Sequence, residues 1–324
     1  MNGYVLGVDG GQTATKAALA DLTGRVVARV TAGAWDSMGT EAGRERCRAA
    51  ITGVLDSLLP AIPPGGRLVS ACLGLTGGRT RVEFLEGWLR ERVQPEHLQV
   101  VGDIVTNLRG ADPSGGPGVV VIAGGGSAAW GHDGQGRSVL AGGHGYLLDD
   151  EGSGYELGRQ AMIAVLKAHQ GRRPPTALTP VLLQHFGASD PWEMRMTLYN
   201  GRAGRPEVAA LVPLIAETAR AGDPTALAIL EQGARGLAEI AASVVRQLGL
   251  IDPPVFPTGG VFRVGDLLLK PFTAALAEMA PGARVEQPAL PPLAGALVMA
   301  LEIAGALTPE AVANLAAAFH EGAS

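Results

Sequence analysis

The sequence predicts an α/β protein of two domains, each a sheet covered by helices, with a ligand cleft between them. Three observations carry this. Strand-like and helical stretches alternate through the first half. A strand running into a glycine turn occurs twice, as Val5-Leu6-Gly7-Val8-Asp9-Gly10-Gly11-Gln12-Thr13 and as Val119-Val120-Val121-Ile122-Ala123-Gly124-Gly125-Gly126-Ser127. Between the two lies Asp112-Pro113-Ser114-Gly115-Gly116-Pro117-Gly118, a run of turn formers that separates residues 1–113 from 114–324. The last helix is allowed to pack back on the first domain.

The elements follow in order. Tyr4–Val8 is a buried strand. Thr15–Leu22 and Arg25–Thr31 are two more, joined at Thr23-Gly24 into an antiparallel meander. Glu41–Leu59 has helical periodicity, with Thr40 as N-cap. Leu68–Leu75 is β-rich, Arg81–Val93 helical, and Leu98–Val101 a short strand, with a short helix after Asp103. Val119–Ile122 opens the second half, followed by hairpin strands. Helical periodicity then covers Gly154–His169, Thr179–Phe186, Glu207–Ala221, Pro224–Leu248, Val264–Met279, Leu293–Ala304 and Thr308–Phe319. Pro254–Pro257 is a strand that leads into the turn at Thr258-Gly259-Gly260-Val261.

Composition narrows the function classes. With 324 residues and 47% apolar residues, the chain can build two sizeable cores. Its net charge is -5, which excludes the basic footprint of a nucleic-acid binder. The two cysteines, Cys47 and Cys72, form no CxxC pair and so give no disulfide framework or zinc cluster. No apolar run reaches the roughly twenty residues needed to cross a bilayer. A cytoplasmic enzyme without nucleic-acid or membrane partners is expected, with a homodimer allowed.

Five segments carry the chemistry. In the first glycine turn Asp9 ends a strand, Gly10 and Gly11 let backbone N–H groups approach phosphate oxygens, and Thr13 adds a hydroxyl. An ordinary hairpin turn would look the same. Gly124, Gly126 and Ser127 repeat the design, and two such loops can hold one polyphosphate from both sides. Neither is a Walker A loop, because no Lys follows the glycines. Asp103 ends the strand Val100-Val101-Gly102 just before a helix. That edge of an α/β sheet is where ligands bind, and a carboxylate there can accept a proton from a hydroxyl; the alternative is a helix cap. Asp149, Asp150 and Glu151 sit between glycines at a helix entry, where they can hold sugar hydroxyls or a hydrated cation. Finally, the Gly259-Gly260 pair lets a flat ring lie against the backbone.

In this order the set resembles the BadF/BadG/BcrA/BcrD-type ATPase family, and within it the N-acetylglucosamine kinases. The resemblance runs from about Val5 to Ala300. It implies two ribonuclease-H-like domains of the actin-like ATPase type around ATP and a sugar. It matches Asp9 to the acid that holds hydrated Mg²⁺, and Gly10, Gly11 and Thr13 to the first phosphate loop. Gly124, Gly126 and Ser127 match the second loop, Gly259 and Gly260 the adenosine loop. Asp103 matches the catalytic base, and Asp150, with Glu151 beside it, the acid that binds sugar hydroxyls. Three substitutions depart from the family pattern. Gly125 replaces a Thr, Gly143-His144-Gly145 replaces a GWG, and Asp149 replaces a Gly. Trp35 and Asp36 fall where relatives place a sugar-contacting Asn. The function implied is ATP-dependent phosphorylation of the 6-hydroxyl of an amino sugar, N-acetylglucosamine or glucosamine. The alternatives are an activator ATPase of the BadF type and a catalytically weak sugar sensor.

Overall fold

The computed structural model describes residues 2–11, 13–35, 40–77, 87, 89, 90, 92 and 94–320. Asp36 and most of the expected helix Arg81–Val93 lie outside the described residues. The chain divides into two compact units: Met1–Gly116 with Gln287–Ser324, and Pro117–Glu286. The sequence reading cuts after residue 113 and considers the return of the last helix only, whereas two C-terminal helices belong to the first unit.

The first unit is a five-stranded sheet of β1 (Gly3–Gly10), β2 (Thr15–Asp21), β3 (Val26–Ala32), β4 (Arg67–Leu75) and β5 (His97–Gly102), in the order β3-β2-β1-β4-β5. The three meander strands are antiparallel, and β4 and β5 add in parallel to β1. Side chains alternate between the faces of a strand, and β1 buries both. Tyr4, Leu6 and Val8 join Ile51, Val54, Leu55 and Leu58 of helix α1 (Glu41–Leu58), whose N-cap Thr40 accepts the Gly43 N–H. Val5 joins Leu293, Leu297 and Leu301 of a C-terminal helix on the other face.

Helix α2 (Asp103–Ala111) follows β5 directly and packs on that C-terminal helix. The approach is close: a Cβ on Gly295 would lie 2.0 Å from the Thr106 carbonyl oxygen and 2.5 Å from the Gly110 nitrogen. Gly295→Ala is therefore expected to destabilise the chain by about 1–3 kcal/mol, since backbone must move to admit the methyl. Gly53, on α1, faces open space, and Gly53→Ala is expected to stabilise by about 0.5–1 kcal/mol through helix propensity. Urea denaturation of both variants checks this, and equal midpoints would remove the close contact from the argument.

The second unit repeats the topology. Its strands are β6 (Gly118–Ala123), β7 (Ser127–His132), β8 (Ser138–Gly142), β9 (Pro254–Thr258) and β10 (Arg284–Val285), in the order β10-β9-β6-β7-β8. Again three strands form an antiparallel meander and two add in parallel. Its helices are α3 (Gly154–His169), α4 (Leu178–Phe186), α5 (Pro191–Tyr199), α6 (Arg205–Ala209), α7 (Val212–Arg220), α8 (Pro224–Leu248) and α9 (Asp266–Met279). The expected single helix Glu207–Ala221 is two, because Pro213 has no N–H to donate and its ring would clash with the carbonyl four residues back. The C-terminal pair in the first unit is α10 (Pro292–Ile303) and α11 (Pro309–His320). Among the described residues no helix is long and apolar enough to cross a membrane.

Candidate functional site

In the first unit, β-strand parity puts Asp9 on the same face of β1 as Val5 and Gly7. Gly7 has no side chain because α10 fills the space: a Cβ there would meet Leu297 at 2.8 Å. Asp9 is the next residue along that face of β1. Its register partners are Lys16 on β2 and Gly74 on β4. Gly74 is bare for a related reason, since Thr106 of α2 would lie 2.2 Å from its Cβ. Removing that side chain draws α2, and with it Asp103, against the sheet beside Asp9.

Asp103 is the first residue of α2, and the N-cap position belongs to Gly102. One carboxylate oxygen of Asp103 accepts the Ile104 N–H at 3.0 Å, and the other accepts the Thr76 hydroxyl at 2.7 Å. Thr76 is itself fixed, its N–H donating to the Gly10 carbonyl at 2.9 Å. Burial pushes the Asp103 pKa up, and the Thr76 and Ile104 hydrogen bonds oppose this. Burial, then the neighbouring Asp103 charge, pushes Asp9 to about 6 against the pull of Lys16.

Two carboxylates that repel each other in a largely buried place fit a cation that would relieve both. Among the described residues no group of three or more His, Cys, Asp or Glu could enclose a metal. The donor set therefore suits Mg²⁺ held by few protein ligands and through water.

The first glycine turn closes with the Gly11 N–H donating to the Ala14 carbonyl at 3.0 Å, and Thr13 is exposed. Trp35 is only 3% exposed, and its indole N–H donates to the Thr76 carbonyl at 3.1 Å. Stacking on a sugar needs a bare ring face, and Trp35 presents none. It props the Gly10–Thr76 corner from the core instead.

In the second unit three segments meet at the end of β6 and β9. Ile122 is the register partner of Thr258, so both strands run into their glycine turns together. Gly259 has φ 99°, and a Cβ on it would lie 2.3 Å from the Ala123 carbonyl oxygen. Gly260 faces open space. The Gly124 carbonyl accepts the Gly154 N–H at 2.7 Å, which ties the second glycine turn to the start of α3.

The hydrogen-bond donors of Ser127 are spent within the protein. Its N–H goes to Asp150 Oδ1 at 3.1 Å and its hydroxyl to the Glu151 carbonyl at 2.7 Å. The Gly124 N–H is spent on the Gly126 carbonyl at 2.9 Å. Gly126 is needed for this closeness, since its Cβ would meet the Asp150 carboxylate at 2.9 Å.

Asp150 has φ 73° and is 3% exposed. Burial raises its pKa, while the Ser127 N–H and Arg205 lower it. Its second oxygen faces Arg205 Nη2 at 3.5 Å. Asp149 takes the His144 N–H at 3.2 Å and shares a hydrogen bond with Glu151; that bond raises the pKa of Glu151. Gly143, His144 and Glu151 are exposed.

Four residues at these places escaped the sequence reading. Lys16 was legible in principle, because a tight β1–β2 hairpin puts it opposite Asp9. Thr76 and Arg205 lie 27 and 55 residues from the acids they touch, and no local pattern marks them. Tyr146 looks like any loop aromatic until Arg205 is seen stacked on it.

The family model for the BadF/BadG/BcrA/BcrD ATPase family matches residues 6–302. An N-acetyl-D-glucosamine kinase of Dictyostelium discoideum is 29% identical over 91% of this chain and 97% of its own length. An N-acetylmuramic acid/N-acetylglucosamine kinase of Clostridium acetobutylicum is 29% identical over 80% of this chain and 86% of its own. The crystal structure of a candidate N-acetylglucosamine kinase from Chromobacterium violaceum superposes with a TM-score of 0.73. It is 29% identical and covers 92% of this chain and 98% of that one.

Proposed function

The chain belongs to the BadF/BadG/BcrA/BcrD ATPase family, and from that premise we propose that it is an ATP-dependent kinase of the 6-hydroxyl of an amino sugar, N-acetylglucosamine or glucosamine. The observation that carries this is the Asp9–Thr76–Asp103 corner, in a chain whose full-length relatives are amino-sugar kinases. The two sheets of like topology are read as ribonuclease-H-like domains.

Asp103 is the base. Its carboxylate takes the proton of the sugar hydroxyl as the hydroxyl oxygen bonds to the γ-phosphorus and the bond to the ADP oxygen breaks. A largely buried carboxylate with a raised pKa is a stronger base than one in water, and the Thr76 and Ile104 donors fix its orientation. Asp9 is read as the acid that holds hydrated Mg²⁺, which when bound supplies positive charge to the phosphates. Gly10, Gly11 and Thr13 are read as the first phosphate loop. The glycine turn at Gly124–Ser127 is read as the second; with Ser127 and Gly124 engaged internally, its remaining donors are the N–H groups of Gly125 and Gly126. Gly259 and Gly260 are read as the adenosine loop. Gly143, His144, Asp150 and Glu151 are read as the sugar segment, with Asp150 setting the shape of that segment from beneath.

A coupled ADP-release assay against a panel of amino sugars and hexoses tests the reading. Release that requires an amino sugar is expected. Release that needs no sugar, or none with any sugar, would sink it.

The pH profile gives a sharper check. Asp103 must be ionised to act, so the acid limb of kcat/KM is expected above the usual carboxylate range. Thr76→Val removes a hydrogen bond to the charged form. The Asp103 pKa then rises and the acid limb moves to higher pH. A limb that stays in place would detach Thr76 from the base.

A further inference from the structure

We propose that Arg205 is a positioning residue that clamps the sugar segment and the second phosphate loop into one pre-formed unit, so that neither ligand has to order it; this rests on the sugar-kinase reading above. A single carboxylate joins the two parts. Asp150 Oδ1 accepts the Ser127 N–H of the glycine turn at 3.1 Å, and its Oδ2 faces Arg205 Nη2 at 3.5 Å.

The sugar segment has little of its own to hold it. The Asp149 N–H donates to the Gly145 carbonyl at 2.9 Å, and the His144 N–H to the Asp149 carboxylate at 3.2 Å, so these hydrogen bonds close the turn on itself. Leu147 and Leu148 are 80% and 85% exposed and anchor nothing. The next residue, Asp150, has φ 73°, a conformation that a non-glycine residue keeps only where its surroundings impose it.

Arg205 supplies that imposition from a fixed base. It is the first residue of α6, where the Glu207 carboxylate accepts the Gly204 N–H at 2.7 Å. Helix α6 lies hard against α3: a Cβ on Gly158 would meet the Val208 carbonyl oxygen at 2.1 Å. From there the guanidinium lies 4.5 Å over the ring of Tyr146, which belongs to the segment, and 5.8 Å from that of Tyr155 on α3. The two rings meet edge to face at 5.2 Å. Cation–π contact and charge thus pin the segment at both Tyr146 and Asp150.

A pre-formed site has a particular thermodynamic signature. Without the clamp, whichever ligand binds first must order the shared unit and binds more weakly for it; the second ligand then finds it ordered. Loss of Arg205 should therefore weaken each ligand alone and create positive coupling between them. A residue that touches only the sugar would do neither to the nucleotide.

Calorimetric titration tests this with MgADP and with N-acetylglucosamine or glucosamine, whichever the wild type phosphorylates, each alone and each with the other saturating. Arg205→Gln is expected to raise both Kd values about tenfold when the ligands are alone, the scale of a lost charged hydrogen bond. With the partner ligand bound, the rise should shrink to about threefold or less, by the same factor in both directions. Arg205→Lys, which keeps the charge over the ring, should recover much of the loss. Tyr146→Leu leaves the Arg205–Asp150 pair in place and should give the same pattern in weaker form, which also covers an Arg205→Gln chain that fails to fold. Weaker sugar binding with MgADP unaffected would make Arg205 a direct sugar contact and overturn the clamp. So would weaker binding of both ligands with no rise in coupling. A wild type that phosphorylates the sugar, beside an Arg205→Gln variant that keeps both affinities, overturns the clamp alone. A wild type that binds MgADP and no amino sugar overturns the kinase reading and the clamp with it.

Discussion

Asp103→Asn is expected to lower sugar-dependent ATP turnover by about two to four orders of magnitude, the usual loss of a general base. That corresponds to roughly 3–5 kcal/mol of transition-state stabilisation. The substitution is nearly neutral for the fold. The Asn side-chain oxygen still accepts the Ile104 N–H, now held at 3.0 Å. The amide NH₂ faces Thr76, whose hydroxyl can turn from the Asp103 oxygen to the Gly10 carbonyl, already 3.2 Å away. What disappears is the proton acceptor. ATP affinity should hold and kcat should fall. Single-turnover kinetics with nucleotide binding measured separately would show it. A variant that keeps more than about a tenth of the wild-type rate would demote Asp103 to a structural role at the start of α2.

The sequence reading reached the strands that deliver the acids and missed what surrounds them, for a physical reason. β1 and β6 are apolar runs ending in glycine turns, and that signal is local. So is the cap at Thr40. The helix α5 was missed although Asp190, Pro191 and Glu193 spell a capped start; the stretch that follows, with Trp192 62% and Tyr199 75% exposed, lacks an apolar stripe. The return of α10 to the first unit rests on contacts such as the Leu290 N–H donating to the Gly110 carbonyl, at a sequence separation no periodicity reports. Trp35 illustrates the limit at the site. A Trp beside an Asp in a loop reads as a sugar platform, yet the ring is drawn into the core by Leu75 and Gly10, where a Cβ on Gly10 would lie 2.5 Å from Leu75 and 3.2 Å from Trp35. Asp150 was legible as an acid at a helix entry, but its partners Ser127 and Arg205 come from a hairpin and from the first residue of α6. Burial and pairing of polar groups depend on such distant partners, so site chemistry is less legible than strand order.

Asp9→Asn should stabilise the metal-free protein and abolish its activity. Unfolded Asp9 ionises near 3.8, whereas in the fold it keeps its proton to about 6. Between these values the native chain binds more protons than the unfolded one. Stability from this group is therefore complete below pH 3.8 and is lost as pH rises through about 6. Near neutrality the ionised carboxylate costs the metal-free fold up to about 3 kcal/mol, because raising a pKa tenfold in proton affinity costs the charged form about 1.36 kcal/mol. Asn has no charge to desolvate and none to set against Asp103, so the variant should gain much of that free energy above pH 6 and nothing below pH 4. Magnesium reverses the ranking. A cation that binds the native state adds stability as RT ln(1 + [L]/Kd), and it should do so for the wild type far more than for the variant. Urea denaturation at several pH values, with and without MgCl₂, measures both effects. Equal stabilisation of the two proteins by Mg²⁺ would remove Asp9 from the metal site, and a variant less stable than wild type at pH 8 without metal would show that the charge is not strained at all.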